Sequence, residues 1–205
     1  MIKKPSKEDR QPTKAKNRFL FIGIVVLLFS TGIYFYSLQR ESNQLSQSPD
    51  NFLFKTVQNQ ELHISVSPNH IKIEEFNGKI IFLKVFGWNC KYCQKEIPEL
   101  VQLKKKFITA FNTIAIEEQQ HTHQENLEFI KKHHINYGIV EGNHQERFLS
   151  YLKKEYQWNG VIPLTIVIDA KGEILAFEVG YKSYNLTTLL HTTLEKITQT
   201  ALPQK

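Results

Sequence analysis

The two cysteines of this chain, Cys90 and Cys93, stand three positions apart. A CxxC spacing suits two chemistries. In thiol–disulfide exchange, one sulfur attacks a partner's disulfide as a thiolate and the other resolves the mixed disulfide. Alternatively, the pair supplies half of a four-ligand zinc site. A structural staple is the poorest use of it, because so short a loop restrains little of the unfolded chain. Two cysteines also exclude a disulfide-dense scaffold. Zinc would need further ligands, and no second CxxC occurs. His121, His123, His133 and His134 cluster in sequence, but in and after a separate loop, where they read as solvated side chains. The spacing favours redox chemistry, with no metal expected.

The elements around the pair strengthen that reading. Ile80–Phe86 (IIFLKVF) is a nearly continuous apolar run, as expected of a central strand covered on both faces. From Cys90 the period becomes helical, with Ile97, Leu100, Val101, Phe107 and Ile108 on one stripe. Pro98 is expected to bend this helix; Lys104, Lys105 and Lys106 suit its negative end. The thiols therefore open a helix after a buried strand. There the unpaired amides and the dipole stabilise a thiolate and lower its pKa, and Lys91 acts in the same sense. Cys90, first and more exposed, is the expected nucleophile. Cys93, one turn inside, is the expected resolving thiol.

Phe52–Val57 and Leu62–Val66 read as a hairpin or edge strands, Phe111–Ile116 and Tyr137–Val140 as further strands. Helices are predicted over Gln124–His134, with Leu127 and Ile130 inward, and over His144–Tyr156, with Phe148, Leu149, Leu152 and Tyr156 in register. Leu164–Ile168 and Ile174–Val179 are joined by Asp169-Ala170-Lys171-Gly172, which is hairpin chemistry. Leu186, Leu189, Leu190, Leu194 and Ile197 mark a last amphipathic helix. Alternation of this kind implies an α/β domain with a mixed sheet flanked by helices.

The chain carries a net charge of +6, unevenly spread. Of 26 Lys/Arg and 20 Asp/Glu, seven and two fall in residues 1–18, which leaves a near-neutral 19 and 18 for the rest. A nucleic-acid footprint would lie on a folded face instead, so no nucleic acid is expected. Residues 19–38 begin with eighteen uncharged residues, long enough with their extension to span a bilayer. The basic flank puts residues 1–18 in the cytoplasm as a tail and everything after the span outside. Residues 39–51 form a polar linker, and 52–205 the folded domain. A cleaved secretory signal is the alternative for the apolar run. On both readings the domain is exported to a compartment that permits disulfides.

The segment Val85–Leu100 (VFGWNCKYCQKEIPEL), together with Ile162-Pro163-Leu164-Thr165 and the Asp169–Gly172 turn, resembles the TlpA/ResA/DsbE-type family of membrane-anchored, thioredoxin-like thiol–disulfide oxidoreductases. The resemblance spans roughly residues 50–198 and implies a thioredoxin-like fold with a β-hairpin extension. It assigns Cys90 and Cys93 to a redox-active disulfide that needs no other cofactor. Glu96 matches an acidic residue one turn past the second cysteine, and Pro163 a cis-proline facing the dithiol. Ile162 would then offer its backbone to a client strand, with Trp88, Lys91 and Tyr92 as further client contacts. Residues 119–140 look like the family's extra helix–strand insertion. Two positions depart from the pattern. Trp88 stands two before Cys90 rather than one. Lys84 occupies the place of a buried Asp or Asn; it either tunes the cysteine thiolate from inside or snorkels to solvent. Without the resemblance, Glu96 is an ordinary helix-surface carboxylate, Pro163 a trans strand-edge proline, and Trp158 and Tyr156 core residues.

The expected function is that of an exported reductant in a bacterial inner membrane, single-pass and facing the periplasm. Its clients would be exported proteins with disulfides, apocytochrome c haem-site cysteines among them, and a membrane electron donor would recharge it. An oxidase or isomerase working the same thiols in the opposite direction is the alternative. A non-catalytic binding module is the third reading.

Overall fold

The computed structural model describes residues 50–201, with side chains as far as residue 196. The expected basic tail, the 19–38 anchor, most of the linker and the side chain of Ile197 lie outside that range. Among the described residues no helix is long and apolar enough to cross a membrane.

Three antiparallel strands come first: β1 (Asp50–Lys55), β2 (Glu61–Ser67) and β3 (His70–Ile73). The predicted hairpin thus gains a third strand, whose short His-Ile-Lys-Ile alternation pairs Ile71 and Ile73 with β2. Pairing with β2 also draws β1 back to Asp50, inside the segment expected to be linker. Next come β4 (Ile80–Phe86), α1 (Lys91–Lys106), β5 (Phe111–Glu117), α2 (His123–Lys132), β6 (Gly138–Glu141) and α3 (Glu146–Glu155). The chain closes with β7 (Leu164–Ile168), β8 (Ile174–Val179) and α4 (Leu186–Ala201). Five strands make a mixed sheet in the order β6-β5-β4-β7-β8, parallel between β4, β5 and β6 and antiparallel through β7 and β8.

Strand parity assigns the two faces of β4. Ile81, Leu83 and Val85 join an apolar cluster with the three-stranded sheet and with Phe148 and Leu152 of α3. Ile80, Phe82 and Phe86 join the other cluster, under Ile97, Leu100 and Val101 of α1 and Leu186, Leu189 and Leu190 of α4. All seven β4 residues are buried. Because side chains alternate along a strand, Lys84 points to the α1 side. The Asp169–Gly172 turn closes the β7–β8 hairpin as expected, with the Asp169 carboxylate accepting the N–H groups of Lys171 and Glu173. Gly172 supplies the positive φ of 98° that the turn requires.

Two helices differ in detail from the sequence reading. α1 runs on across Pro98 and stops at Lys106; Phe107 caps it, and Ile108, expected on the stripe, is 65% exposed in the turn to β5. In α2 the capping box of Thr122 and Glu125 fixes the helix start and hence its phase. Asn126 and Phe129 therefore face inward while Leu127, expected to do so, is 38% exposed.

Phe148 ties the two sheets together. Its ring lies edge-on to Phe52 and Phe54 of β1, with centroids 5.2 and 5.0 Å away, and it is wholly buried. Phe148→Ala is expected to destabilise the domain by about 3–5 kcal/mol, read from urea unfolding. A loss below about 1 kcal/mol would show that the three-stranded sheet does not lean on α3.

Candidate active site

Cys90 is the N-cap of α1. Its backbone is extended (φ −91°, ψ 104°), and its Sγ accepts the amide N–H of Cys93 at 3.1 Å. The first turn of the helix contains no acidic residue. Sulfur charge at this position therefore meets amide N–H groups and the positive end of the dipole, with Lys91 beside it and no carboxylate in that turn to oppose it. Cys90 is half-buried and Cys93 is 2% exposed. The two are joined as a disulfide, with Cα atoms 5.2 Å apart. One cysteine is partly exposed; the other is held inside.

The loop leading from β4 to Cys90 is clamped from the C-terminal end of β5. Glu117, fully buried, accepts the N–H groups of Gln119 at 2.8 Å and His121 at 3.1 Å, which turns the chain toward the loop. Gln119 Oε1 then accepts the N–H of Asn89 at 2.9 Å, and its side chain crosses Gly87 so closely that a Cβ there would lie 2.5 Å from its Cδ. From the other side, the Gln94 amide donates to the Trp88 carbonyl. The Trp88 ring is sandwiched between His121 (centroids 3.6 Å, planes 8° apart) and Phe129 (4.6 Å, 6°). This corrects one expectation: both faces of Trp88 are taken, so it anchors the loop to α2 instead of meeting a client. The histidine cluster also resolves into separate duties. His121 stacks on Trp88 with Nδ1 3.1 Å from Glu117 Oε1, His123 pairs with Glu141 at 2.8 Å, and His133 leans on Phe129.

One helical turn beyond Cys93 lies a buried ion pair. Lys84 Nζ is 2.7 Å from Glu96 Oε2, with side chains 2% and 10% exposed, and it also donates to Thr165 Oγ1. Thr165 is the direct β7 partner of Lys84 in the sheet register. Lys84 does not snorkel: β4 is buried along its whole length, and the amine finds its partners inside. Burial pulls its pKa below the ordinary 10.5, while the Glu96 and Glu99 carboxylates oppose that shift. Glu96 is likewise no surface carboxylate, being 8% exposed overall. Burial, and the Glu96 charge after it, push the Tyr137 phenol upward.

The Ile162–Pro163 peptide bond is cis. Leu164 pairs with Val85, so the register puts Pro163 opposite Phe86, at the end of β4 that feeds the Cys90 loop. Ile162 is half-buried against the apolar cluster that contains Cys93.

Residues 53–177 match the AhpC/TSA family. The chain belongs to that family. ResA of Bacillus cereus, a thiol–disulfide oxidoreductase, is 25% identical over 167 residues, covering 78% of this chain and 87% of ResA. The solved structure of StoA from Bacillus subtilis aligns with a TM-score of 0.51 at 22% identity, covering 72% of this chain and 98% of StoA. The thioredoxin domain of a Bacteroides vulgatus thiol–disulfide oxidoreductase aligns at 0.52 and 19% identity, over 74% and 96% of the two chains. The fold is thioredoxin-like, and this AhpC/TSA-family chain is a thiol–disulfide oxidoreductase of the ResA/DsbE type.

In this oxidoreductase Cys90, Cys93, Ile162 and Pro163 gather at one end of the sheet, with the Lys84–Glu96 pair on the α1 side of it. Lys91 and Tyr92 are exposed beside the thiols. The sequence assigned no role to four contributors: Thr165, Gln119, Phe129 and Tyr181, which stacks on Tyr92. Only Thr165 left a usable trace, a polar residue at an alternate position of an otherwise apolar strand.

Removing one member of a buried pair strands the other. Lys84→Met is expected to cost about 3–5 kcal/mol by urea unfolding, and the double variant Lys84→Met/Glu96→Met to recover most of it. Additive losses would contradict the pairing. The pair also sets a pH slope. In the alkaline range below 10.5 the folded state holds fewer protons on Lys84 than the unfolded state does, so stability rises with pH there. That slope should be absent from Lys84→Met.

Proposed function

We propose that this oxidoreductase is an exported, membrane-tethered reductant of client disulfides. One observation carries the proposal: the half-buried Cys90 sits at the N-terminus of α1 with its Sγ accepting an amide N–H, while Cys93 is buried one turn behind. The Cys90 thiolate attacks a client disulfide, forms a mixed disulfide and expels one client thiolate. Cys93 then attacks Cys90 Sγ, expels the second client thiolate and closes the Cys90–Cys93 disulfide. Two electrons pass to the client. A dithiol electron donor in the membrane, reducing the disulfide in turn, completes the cycle.

Cys93 must lose a proton before it attacks. Glu96, one helical turn on, is the acceptor we assign, and Lys84 is the positioning residue that holds its carboxylate in place inside the domain. A buried ion pair adds little net stability over a well-packed apolar pair. What the charges add is a proton-exchanging group under the resolving thiol. The Ile162 backbone, ahead of the cis bond, is the edge on which a client segment pairs.

Export and tethering rest on the apolar run 19–38 and the basic residues before it. Apocytochrome c haem-site cysteines are the client class we favour, on the resemblance of the CxxC segment and its surroundings to the ResA-type family.

Trapping tests the reading directly. Cys93→Ser, expressed in the native host, should accumulate mixed disulfides on Cys90 with exported proteins, and Cys90→Ser/Cys93→Ser none. Recovery of abundant cytoplasmic thiols alone would overturn it. Direction follows from the reduction potential: a value well below about −180 mV marks a reductant, and one near about −120 mV an oxidant. Glu96→Gln should slow closure of the disulfide about 100-fold in stopped-flow traces while the first attack keeps its rate. Equal slowing of both steps would remove Glu96 from the resolution step.

A further inference from the structure

Eight large hydrophobic side chains lie exposed among the described residues, and four of them belong to segments around the dithiol: Tyr92, Val161, Tyr181 and Tyr184. Tyr92, between the two cysteines, is 49% exposed, and Tyr181 is 47% exposed. Their rings stack on each other, with centroids 4.7 Å apart and planes 19° apart. Lys95 Nζ lies 5.4 Å from one ring centroid and 5.6 Å from the other. Gly180, the residue before Tyr181, donates its N–H to the Pro163 carbonyl at 2.8 Å, and a Cβ on it would rest 3.9 Å from Val161 Cγ1. The loop that carries Tyr181 therefore abuts the segment around the cis-proline. An exposed aromatic pair is continuous, through these contacts, with both walls of the redox site.

Charge adds direction to that surface. Lys91 and Lys95 are exposed on the first turns of α1, and the first turn has no acid to neutralise them. Lys182 is already paired with Glu178 at 3.2 Å, and Tyr184 is held by the same carboxylate. What is left beside the sulfurs is an aromatic platform with free positive charge at its edge. Aromatic rings prefer offset or edge contacts with another ring, and an ammonium group at the rim attracts a carboxylate.

Resting on the reductant reading above, we propose that Tyr92, Tyr181 and Lys95 select clients: an extended polypeptide with a bulky aromatic residue next to its disulfide cysteine and a carboxylate close by. The aromatic residue stacks on the tyrosine pair, and the carboxylate pairs with Lys95. Clients lacking both are reduced by the same dithiol, more slowly.

A peptide panel tests this with the reduced full-length protein. Four cyclic disulfide peptides carry Phe and Glu, Phe and Ala, Ala and Glu, or Ala and Ala beside one cysteine, and second-order reduction rates are compared. Wild type should favour the Phe–Glu peptide over Ala–Ala by about tenfold. Tyr181→Ser should abolish the preference for Phe, and Tyr181→Phe should keep it. Lys95→Ala should abolish the preference for Glu and leave that for Phe. Equal wild-type rates on all four peptides would overturn the platform alone. So would an intact Phe preference in Tyr181→Ser, or a wild-type dimer that Tyr181→Ser turns into a monomer, since a second copy would then cover the surface. Failure of wild type to reduce any of the peptides would instead remove the reductant reading beneath it.

Discussion

A hydrogen bond from the Cys93 amide to Cys90 Sγ is the contact on which this architecture turns. It exists only because four residues separate a fully buried strand from the start of a helix, the last of them, the first cysteine, serving as the cap. A side chain at an N-cap meets amides that have no partner in the helix. When that side chain is a thiol, the field of the helix favours its anion. The rest of the domain holds this junction still and keeps one sulfur in reach of a partner.

The holding is distributed over three elements. Apolar packing of Ile97, Leu100 and Val101 seats α1 on the sheet. The Trp88 sandwich and the Gln119 contacts fix the preceding loop to the β5–α2 connection, so that connection is part of the site's frame. The Lys84–Glu96–Thr165 group joins β4, α1 and β7 one helical turn beyond Cys93. The Lys84–Glu96 pair would be weak on the surface. In the interior its geometry is fixed by neighbours, and a stranded partner is costly.

Much of this was legible from the residues. The β4 run, the switch to helical period at Cys90 and the Asp169–Gly172 turn located the dithiol, because they are local patterns read over short windows. Lys84 was legible as an anomaly, a charge in an apolar strand, yet its fate was not. Whether it snorkels depends on what covers β4, and that follows from the pairing with β7 and the seat of α1. Tyr181 was illegible for the same reason, being separated from Tyr92 by most of the domain and joined to it only by the β7–β8 hairpin. Trp88 misled because its faces are filled by His121 and Phe129, whose placement follows from the Thr122 cap. A helix phase shifted by one residue had hidden Phe129 as an inward side chain.

The chain's chemistry reduces to the acidity of one sulfur. Ultraviolet absorbance of the thiolate, titrated on the reduced Cys93→Ser protein, reads that acidity for Cys90 alone. Ionisation is expected well below the value of about 8.5 for a free cysteine. A midpoint at or above that value would contradict it, since the helix would then be contributing nothing to the nucleophile.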